Sequence, residues 1–317
     1  MRTATQLAGS AFARLPPGAC RRLLEELPAE RAFDALQVVG RKCNVSDIRV
    51  VGDYGPIEGS IEDSAIMRSY AVTRSWRPIE NRFFAELFAA NRTGTFIDIG
   101  ANIGLTTIPI AQNPGVSCKA FEPEPRNFQY LSRNISANCP TADVELFNFA
   151  LFDRATMLDL EMSRVNMGDH RVRLAGLNEP REERCPDVIR VPGKTLDEVL
   201  DPLSVRRPLG VKISAQGAES RIVMGGKSVL GQAAAMVVEF YPFLLKAQRA
   251  DAEPLIKFCG EQFHAAALMN GGEERDPVWR PVAEVADTLR HLLRPGVADE
   301  YAYFRLLLVQ KEVDRAA

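Results

Sequence analysis

Two short stretches hold the residue types best suited to bind a small organic molecule. The first runs from Phe96 to Thr107 (FIDIGANIGLTT) and places Gly100 and Gly104 directly after an apolar run. Glycines at a turn let a ligand approach the backbone, and the N-terminus of a following helix offers free N–H donors. Asp98, just before the turn, would repel a pyrophosphate but attract a ligand that carries an ammonium group. The alternative is a strand-to-helix turn that simply needs small residues.

The second stretch, FEPEP, ends the next apolar run at residues 121–125. Its Glu122 lies 22 positions after Gly100. A carboxylate at the end of a second parallel strand can accept hydrogen bonds from ribose hydroxyls. The alternative is an acidic residue favoured at the start of a helix, an interpretation that suits Glu124 better than Glu122. Glu122 is therefore the candidate for holding a ribose.

An α/β sheet is predicted to position both stretches, because apolar runs alternate with helical periodicities along the chain. Strands are expected at 95–99, 116–121, 144–151, 210–213, 235–240, 262–269 and 303–310. Helices are expected at 105–112, 125–138, 195–200, 218–230, 253–259 and 281–293. In mostly parallel sheets, ligands bind at the carboxyl ends of strands near the point where the strand order reverses. The polar stretch 161–192 is expected to form an irregular loop, such as a lid.

Taken together, the motifs resemble those of class I S-adenosylmethionine-dependent methyltransferases, and more narrowly those of the FkbM family. Besides DIGANIG and FEPEP, the pattern includes NFALFD at 148–153, NMGDHRV at 166–172, KTLDEV at 194–199, VKISAQGAE at 211–219 and VVEFY at 237–241. The resemblance covers residues from about 95 to 311. It implies a doubly wound, mostly parallel sheet of seven strands with the last strand antiparallel, and S-adenosyl-L-methionine as cofactor. It also implies O-methylation of a hydroxyl on a sugar, a glycolipid or a secondary metabolite.

The resemblance assigns cofactor-binding roles to individual residues. The methionine end of the cofactor would lie against Asp98, Gly100, Ala101, Asn102 and Gly104, and its ribose against Glu122. Ala150, Leu151 and Asp153 would lie near the adenine. For Asp153 the alternative is an acidic turn residue.

One position departs from the FkbM pattern. The family reads K-I-D-x-x-G-x-E where this chain has Ser214 in place of the Asp. Serine keeps the capacity to hydrogen-bond but lacks the charge and the base. Either another group takes the proton of an acceptor hydroxyl, or the chain is a catalytically weak or inactive methyltransferase-like binding protein.

Two more residues could act on the acceptor. His170 is the only histidine in a motif-bearing segment, and the ordinary pKa of histidine suits a base near neutral pH. The alternative is a solvated loop histidine beside Asp169. Glu239 ends an apolar run, where a carboxylate is costly unless it faces the site or forms an ion pair, for example with Lys212. The candidate catalytic residues are therefore His170, Glu239 and Ser214.

Size and composition limit the remaining classes of function. The chain has 317 residues, of which 46% are hydrophobic and 25% charged, values that are ordinary for a globular protein. A formal net charge of −2 gives no overall attraction for nucleic acid. With three histidines a multi-histidine metal site is not expected, and the six cysteines form no CxxC pair and are interpreted as reduced thiols. No signal-peptide core or membrane span is predicted, so the expected location is cytoplasmic.

Residues 1–90 lie outside the resemblance and are predicted to form an α+β extension. We place a domain boundary after them, which leaves 91–317 as the S-adenosylmethionine-binding domain. The extension could cap the site, contact the substrate or form a homo-oligomer. A nicotinamide oxidoreductase is a third hypothesis, and the glycine spacing argues against it because Asn102 and Leu105 occupy glycine positions of GxGxxG.

Overall fold

The computed structural model describes residues 26–173, 187–247, 250–299 and 302–310. Its strands are β1 (Asp47–Gly52), β2 (Gly55–Ser60), β3 (Gly94–Ile99), β4 (Val116–Phe121), β5 (Asp143–Phe147), β6 (Ala150–Leu151), β7 (Thr156–Glu161), β8 (Arg171–Val172), β9 (Val188–Lys194), β10 (Leu209–Ile213), β11 (Ala233–Phe240), β12 (Ala265–Asn270), β13 (Arg280–Pro281) and β14 (Phe304–Val309). Its helices are α1 (Ala29–Cys43), α2 (Ile66–Thr73), α3 (Pro78–Asn91), α4 (Thr107–Ala111), α5 (Pro125–Asn138), α6 (Leu196–Val199), α7 (Glu219–Gly225), α8 (Lys227–Leu230), α9 (Pro242–Ala247), α10 (Glu253–Gln262) and α11 (Val282–Leu292).

The central sheet has eight strands in the order β13-β12-β14-β11-β10-β3-β4-β5. Strands β5, β4, β3, β10 and β11 run parallel, and β14 lies antiparallel between β11 and β12. The predicted α/β fold with a mostly parallel sheet and an antiparallel last strand is therefore confirmed. The two-residue strand β13 adds an eighth strand at the edge, which the sequence did not predict. The strand order reverses between β3 and β10, which places the expected ligand site at their carboxyl ends.

Helices cover both faces of this sheet. On one face the buried residues include Ile222 of α7, Leu255 of α10 and Leu289 of α11. The opposite face packs against α3, α4 and α5. A single helix was predicted over 218–230, but the chain breaks at Gly226 into α7 and α8. The prediction of a helix over 125–138 is confirmed, and it begins where the Glu124 side chain accepts a hydrogen bond from the Asn127 N–H.

A second, four-stranded sheet has the order β6-β9-β7-β8. It corrects two predictions. The predicted strand 144–151 ends at Phe147, and its last two residues join β9 instead. The stretch 161–192, expected to be irregular, contributes β8 and most of β9, while residues 174–186 lie outside the described part. The reason is an alternation of period two: Leu158 and Leu160 of β7 pack with Val191 of β9, while the charged residues face outward.

The described part of the N-terminal extension packs against the central sheet. Phe33, Ile57 and Tyr70 belong to the same buried cluster as the sheet residue Phe96. The ring of Phe84 on α3 lies 4.8 Å from that of Phe96. The helix α3 thus joins the extension to the core of the sheet. None of the helices in the described part of the chain is long and apolar enough to cross a bilayer.

Candidate functional site

A cavity opens where the strand order reverses, at the carboxyl ends of β3, β4 and β10. One wall is the turn after β3, and a second is formed by the segment around residues 149–172. A third wall comes from the N-terminal extension, at Trp76, Arg77 and Glu80. The location agrees with the rule for ligand sites in open α/β sheets.

The turn after β3 brings backbone atoms of two strands very close together. Gly100 has φ +78°, and its N–H donates to the Phe121 carbonyl at 3.0 Å. A Cβ atom at this position would lie 2.0 Å from the Ser214 carbonyl oxygen. Because both the φ angle and the space exclude a side chain, glycine is required here. Ala101 and Asn102 follow in the turn and line the cavity together with Gly100.

Glu122 lies on the cavity floor at the end of β4 and is buried. Its Oε2 accepts a hydrogen bond from the Asn102 N–H at 2.8 Å, and its Oε1 accepts one from the Glu124 N–H at 2.9 Å. Burial raises the pKa of this carboxyl to about 7, against the effect of the two N–H donors. Each carboxylate oxygen can accept a second hydrogen bond, so Glu122 has capacity left for two ligand hydroxyls.

Asp98 takes a position different from the one the sequence suggested. It is fully buried and does not line the cavity. Its Oδ1 accepts a hydrogen bond from the Lys212 ammonium at 3.0 Å, and its Oδ2 accepts one from the Thr107 hydroxyl at 2.7 Å. Lys212 also donates to the Gly100 carbonyl at 2.6 Å and lines the cavity itself. Asp98 thus stabilises the turn indirectly, because it positions the Lys212 ammonium that bonds the Gly100 carbonyl. The predicted ion pair between Lys212 and Glu239 is not formed.

Two other residues of the predicted cofactor site also lie outside the lining. Gly104 has φ +94° and packs beneath Leu131. Asp153 accepts a hydrogen bond from the Arg221 guanidinium at 2.6 Å. Ala150 does line the cavity, where it joins the apolar side chains of Phe121, Phe149, Leu151 and Ile222. This apolar section would suit a planar aromatic ring.

The opposite end of the cavity carries charge. The Ser214 hydroxyl donates to Glu239 Oε2 at 2.6 Å, and both residues line the cavity. The other carboxylate oxygen of Glu239 lies 3.6 Å from the Arg77 guanidinium. That guanidinium lies over the ring of Trp76, 5.1 Å from its centroid, and 5.5 Å from that of Tyr303. Two of the three candidate catalytic residues are therefore in direct contact.

His170, the third candidate, lines the cavity from the loop before β8. Its Nδ1 accepts a hydrogen bond from the Ser163 N–H at 3.0 Å, and burial lowers its pKa. A neutral ring with Nδ1 as acceptor carries its proton on Nε2. The buried Nε2 has no hydrogen-bond partner among the described residues. In this arrangement His170 keeps an N–H donor without a partner among the described residues, and the lone pair that a base needs is already used.

Sequence reasoning missed the contribution of Trp76, Arg77 and Glu80. No motif marks them, because SWRPIE reads as an ordinary start to α3. Their role depends on contacts with residues more than a hundred positions away, such as Glu239 and Tyr303. An unusual sign is visible in the backbone, where Arg77 has φ +46° although it is not a glycine.

Comparison with solved structures gives matches at low sequence identity and low TM-score. No protein-family model and no curated protein sequence matches the chain. A protein of Pyrococcus horikoshii described as a transferase is 11% identical, with 97% of this chain and 99% of that chain covered and a TM-score of 0.43. M. jannaschii TYW2 in complex with AdoMet is 12% identical, with 84% and 87% covered and a TM-score of 0.39. An O-methyltransferase from Bacillus cereus in complex with SAH is 11% identical, with 74% and 83% covered and a TM-score of 0.36. Function has to be argued from the site itself.

Proposed function

We propose that the chain is an S-adenosylmethionine-dependent methyltransferase that methylates a hydroxyl oxygen. The observation that carries the proposal is the pairing of the Gly100 turn with the buried carboxylate of Glu122 at the switch point of the sheet. A glycine turn exposes backbone to the ligand, and a carboxylate on the next strand matches vicinal ribose hydroxyls.

The lining residues fit the three parts of this cofactor. Glu122 has free lone pairs for the ribose, and the apolar section around Phe149, Leu151 and Ile222 suits the adenine. The turn at Gly100–Asn102 would hold the methionine part. When bound, S-adenosylmethionine supplies a methyl group on a positively charged sulfur. The chain's own task is to align an acceptor oxygen with that group, and orientation of this kind contributes about 7–11 kcal/mol.

The acceptor would enter at the charged end of the cavity. Ser214 and Glu239 supply hydrogen-bond acceptors there, and His170 supplies a donor. Arg77 is already engaged by Glu239 and Tyr303, which argues against an anionic group on the acceptor. A neutral hydroxyl of a sugar, a glycolipid or a secondary metabolite is the acceptor we propose. A cytoplasmic location and a homo-oligomer stay predictions.

Cofactor binding is the direct test of this function. A ligand present at 100 times its dissociation constant stabilises the fold by about 2.7 kcal/mol, so S-adenosylmethionine should raise the melting temperature. Isothermal titration calorimetry with S-adenosylhomocysteine should give one site per chain. NADH serves as the control ligand and should leave the melting temperature unchanged. Absence of a shift at millimolar S-adenosylmethionine would overturn the proposal.

A second candidate function is a methyltransferase-like binding protein without turnover. Ser214 favours it, because an Asp stands at this position in the family that the sequence resembles. The variant Ser214→Asp separates the two functions when S-adenosylhomocysteine production is followed with a panel of hydroxylated acceptors. Activity in the wild-type chain, or a gain of activity in the variant, supports the enzyme. Silence of both across the panel, with intact cofactor binding, supports the binding protein.

A further inference from the structure

We propose that Ser214 and Glu239 form a proton relay facing the acceptor and that Arg77, from the N-terminal extension, is the positioning residue for Glu239. The proposal rests on the proposed function and deepens it, because it names how the site compensates for the missing strand-end Asp. It also gives the extension a part in the site.

The relay is visible in the contact between two neighbouring strands. Ser214 directly follows β10, and Glu239 lies near the end of the adjacent parallel strand β11. The Ser214 hydroxyl donates to Glu239 Oε2 at 2.6 Å, a length typical of a hydrogen bond to a charged acceptor. A serine oxygen that donates its proton keeps two lone pairs. Since both residues line the cavity, those lone pairs can accept a hydrogen bond from an acceptor hydroxyl.

The proton balance of the relay is simple. The acceptor hydroxyl gives its proton to the Ser214 oxygen while the Ser214 proton passes to Glu239 Oε2. Ser214 is neutral before and after the step, and Glu239 changes from carboxylate to carboxylic acid. The acceptor oxygen keeps the electron pair of its O–H bond and can use it to form a bond to carbon. Through Ser214, the Glu239 carboxylate on the neighbouring strand can therefore accept a proton from an acceptor that it does not contact directly.

Arg77 holds the other oxygen of the same carboxylate. Its guanidinium lies 3.6 Å from Glu239 Oε1 and donates to the Tyr303 hydroxyl at 3.1 Å and to the Gly271 carbonyl. Trp76 and Tyr303 contribute their ring faces to it. A cation fixed by this many partners restricts Oε1 to one place, which leaves Oε2 aimed at Ser214.

Two carboxylates, Glu80 and Glu239, share the charge of Arg77. Glu80 is buried, pairs with Arg305 at 3.0 Å and also interacts electrostatically with Arg77. Burial opposes the charge on Arg77, but Glu80 and Glu239 outweigh it and raise the pKa of the guanidinium. Arg77 is therefore charged throughout the physiological pH range. Besides Arg77 and Ser214, Glu239 interacts electrostatically with the buried carboxyls of Glu80 and Glu219 and with Tyr241.

The experiment compares two cofactor analogues and needs no acceptor. Sinefungin carries an amine-bearing carbon in place of the methylated sulfur, whereas S-adenosylhomocysteine has a bare sulfur there. If the relay faces this position, its oxygens accept hydrogen bonds from the ammonium, and sinefungin should bind about 10- to 100-fold more tightly by calorimetry. Glu239→Gln and Ser214→Ala should each reduce the preference to about twofold, since the charge or the bridge is removed.

Arg77→Lys tests the positioning role, because it keeps the charge but loses the planar guanidinium. It should reduce the preference for sinefungin as Glu239→Gln does while the affinity for S-adenosylhomocysteine stays within about threefold of wild type. An unchanged affinity for S-adenosylhomocysteine also shows that each variant is folded. Glu86→Gln, an exposed residue of α3, is the matched control and should behave as wild type.

The outcomes separate this proposal from the proposed function. If wild type binds neither analogue, the proposed function fails and the relay fails with it. If both analogues bind but the preference is absent or survives Glu239→Gln, the relay is wrong and the methyltransferase stands. A preference lost in Glu239→Gln but kept in Ser214→Ala would show that Glu239 acts directly. A preference kept in Arg77→Lys would remove the positioning role of Arg77.

Discussion

Lys212 and Asp98 occupy paired positions on β10 and β3, and their side chains meet with 3.0 Å between Nζ and Oδ1. Asp98 is fully buried, where an unpaired charge would be costly. Its carboxylate is tolerated because Lys212 forms an ion pair with it and Thr107 donates a hydrogen bond to it. The same ammonium bonds the Gly100 carbonyl. One lysine therefore neutralises a buried carboxylate and fixes the turn that forms a wall of the cavity.

Lys212→Met should destabilise the protein strongly, because it leaves Asp98 buried without its cation. Removing one partner of a buried ion pair costs about 3–5 kcal/mol. Urea unfolding at neutral pH measures the loss. Lys119→Met is the matched control on β4, since its partner Glu145 is exposed and such pairs contribute about 0–1 kcal/mol. Equal losses for the two variants would show that the Asp98 contact has no special weight.

Glu122→Gln should weaken the binding of S-adenosylhomocysteine. A hydrogen bond to a charged group contributes about 1.5–3 kcal/mol, so the dissociation constant should rise about 10- to 150-fold in calorimetry. Glu261→Gln, on the exposed side of α10, should bind as wild type does. A normal affinity for the Glu122 variant would remove this residue from the ribose role.

The affinity for S-adenosylhomocysteine should rise with pH. Burial raises the pKa of Glu122 to about 7 from its ordinary 4.5, so the carboxylate that accepts the ribose hydroxyls is fully formed only above that pH. Below pH 7 the affinity should fall by up to about tenfold per pH unit. The dependence should vanish in Glu122→Gln. The dependence should persist in Glu219→Gln. Burial also raises the pKa of the Glu219 carboxyl to about 7, but Glu219 lies outside the cavity lining.

The same pKa has the opposite effect on the stability of the ligand-free protein. Because burial penalises the ionised form of Glu122, its contribution to the free energy of unfolding is largest when the carboxyl is protonated. That contribution should fall as the pH rises from about 4.5 through about 7. Thermal melts between pH 5 and 8 measure this, and Glu122→Gln should flatten the curve. A steeper decline in the variant than in wild type would contradict the assignment.

Gly100→Ala should destabilise the fold and abolish cofactor binding together. The added Cβ would lie 2.0 Å from the Ser214 carbonyl oxygen, and φ of +78° is unfavourable for alanine. Since backbone atoms of two strands would have to move, we expect a loss of several kcal/mol, at the upper end of single-residue effects of about 4–5 kcal/mol. Gly260→Ala is the control, because α10 has open space at this position and alanine there should stabilise by about 0.4–1 kcal/mol.

His170 should be a neutral ring with its proton on Nε2. The Nδ1 atom accepts the Ser163 N–H, and burial lowers the pKa below its ordinary 6.5. Nitrogen NMR of histidine-labelled protein at pH 7 would distinguish the two tautomers. Addition of S-adenosylhomocysteine or an acceptor should shift the Nε2 signal if this proton meets the ligand. A proton on Nδ1 would restore His170 as a candidate base.

The sequence was informative where local patterns decide the structure. The seven main strands, the glycine turn and Glu122 all follow from short apolar runs and their end residues, which are properties of neighbours in the chain. It also predicted that Ser214 and Glu239 belong to one site. Their direct contact could not be predicted, because it depends on the register of β10 against β11.

Other features were beyond the sequence for physical reasons. Arg77 reaches the cavity through partners such as Gly271 that lie 194 positions away, and no spacing rule encodes such a contact. Asp98 was assigned to the ligand because it stands just before the glycine turn, and its contact with Lys212 is visible only in three dimensions. The strands β7 and β9 do carry a period-two alternation, which the charged residues of the stretch obscured.

The placement of β14 between β11 and β12 bears on when the protein can become functional during its synthesis. Tyr303 and Arg305 complete the surroundings of Arg77 and Glu80, and β12 reaches the sheet only through β14. The turn that would hold the cofactor uses strands made much earlier. During synthesis, a nascent chain could thus form the part of the cavity around the Gly100 turn before translation ends. The charged end around Arg77 and Glu239 can form only after the last strand has been made.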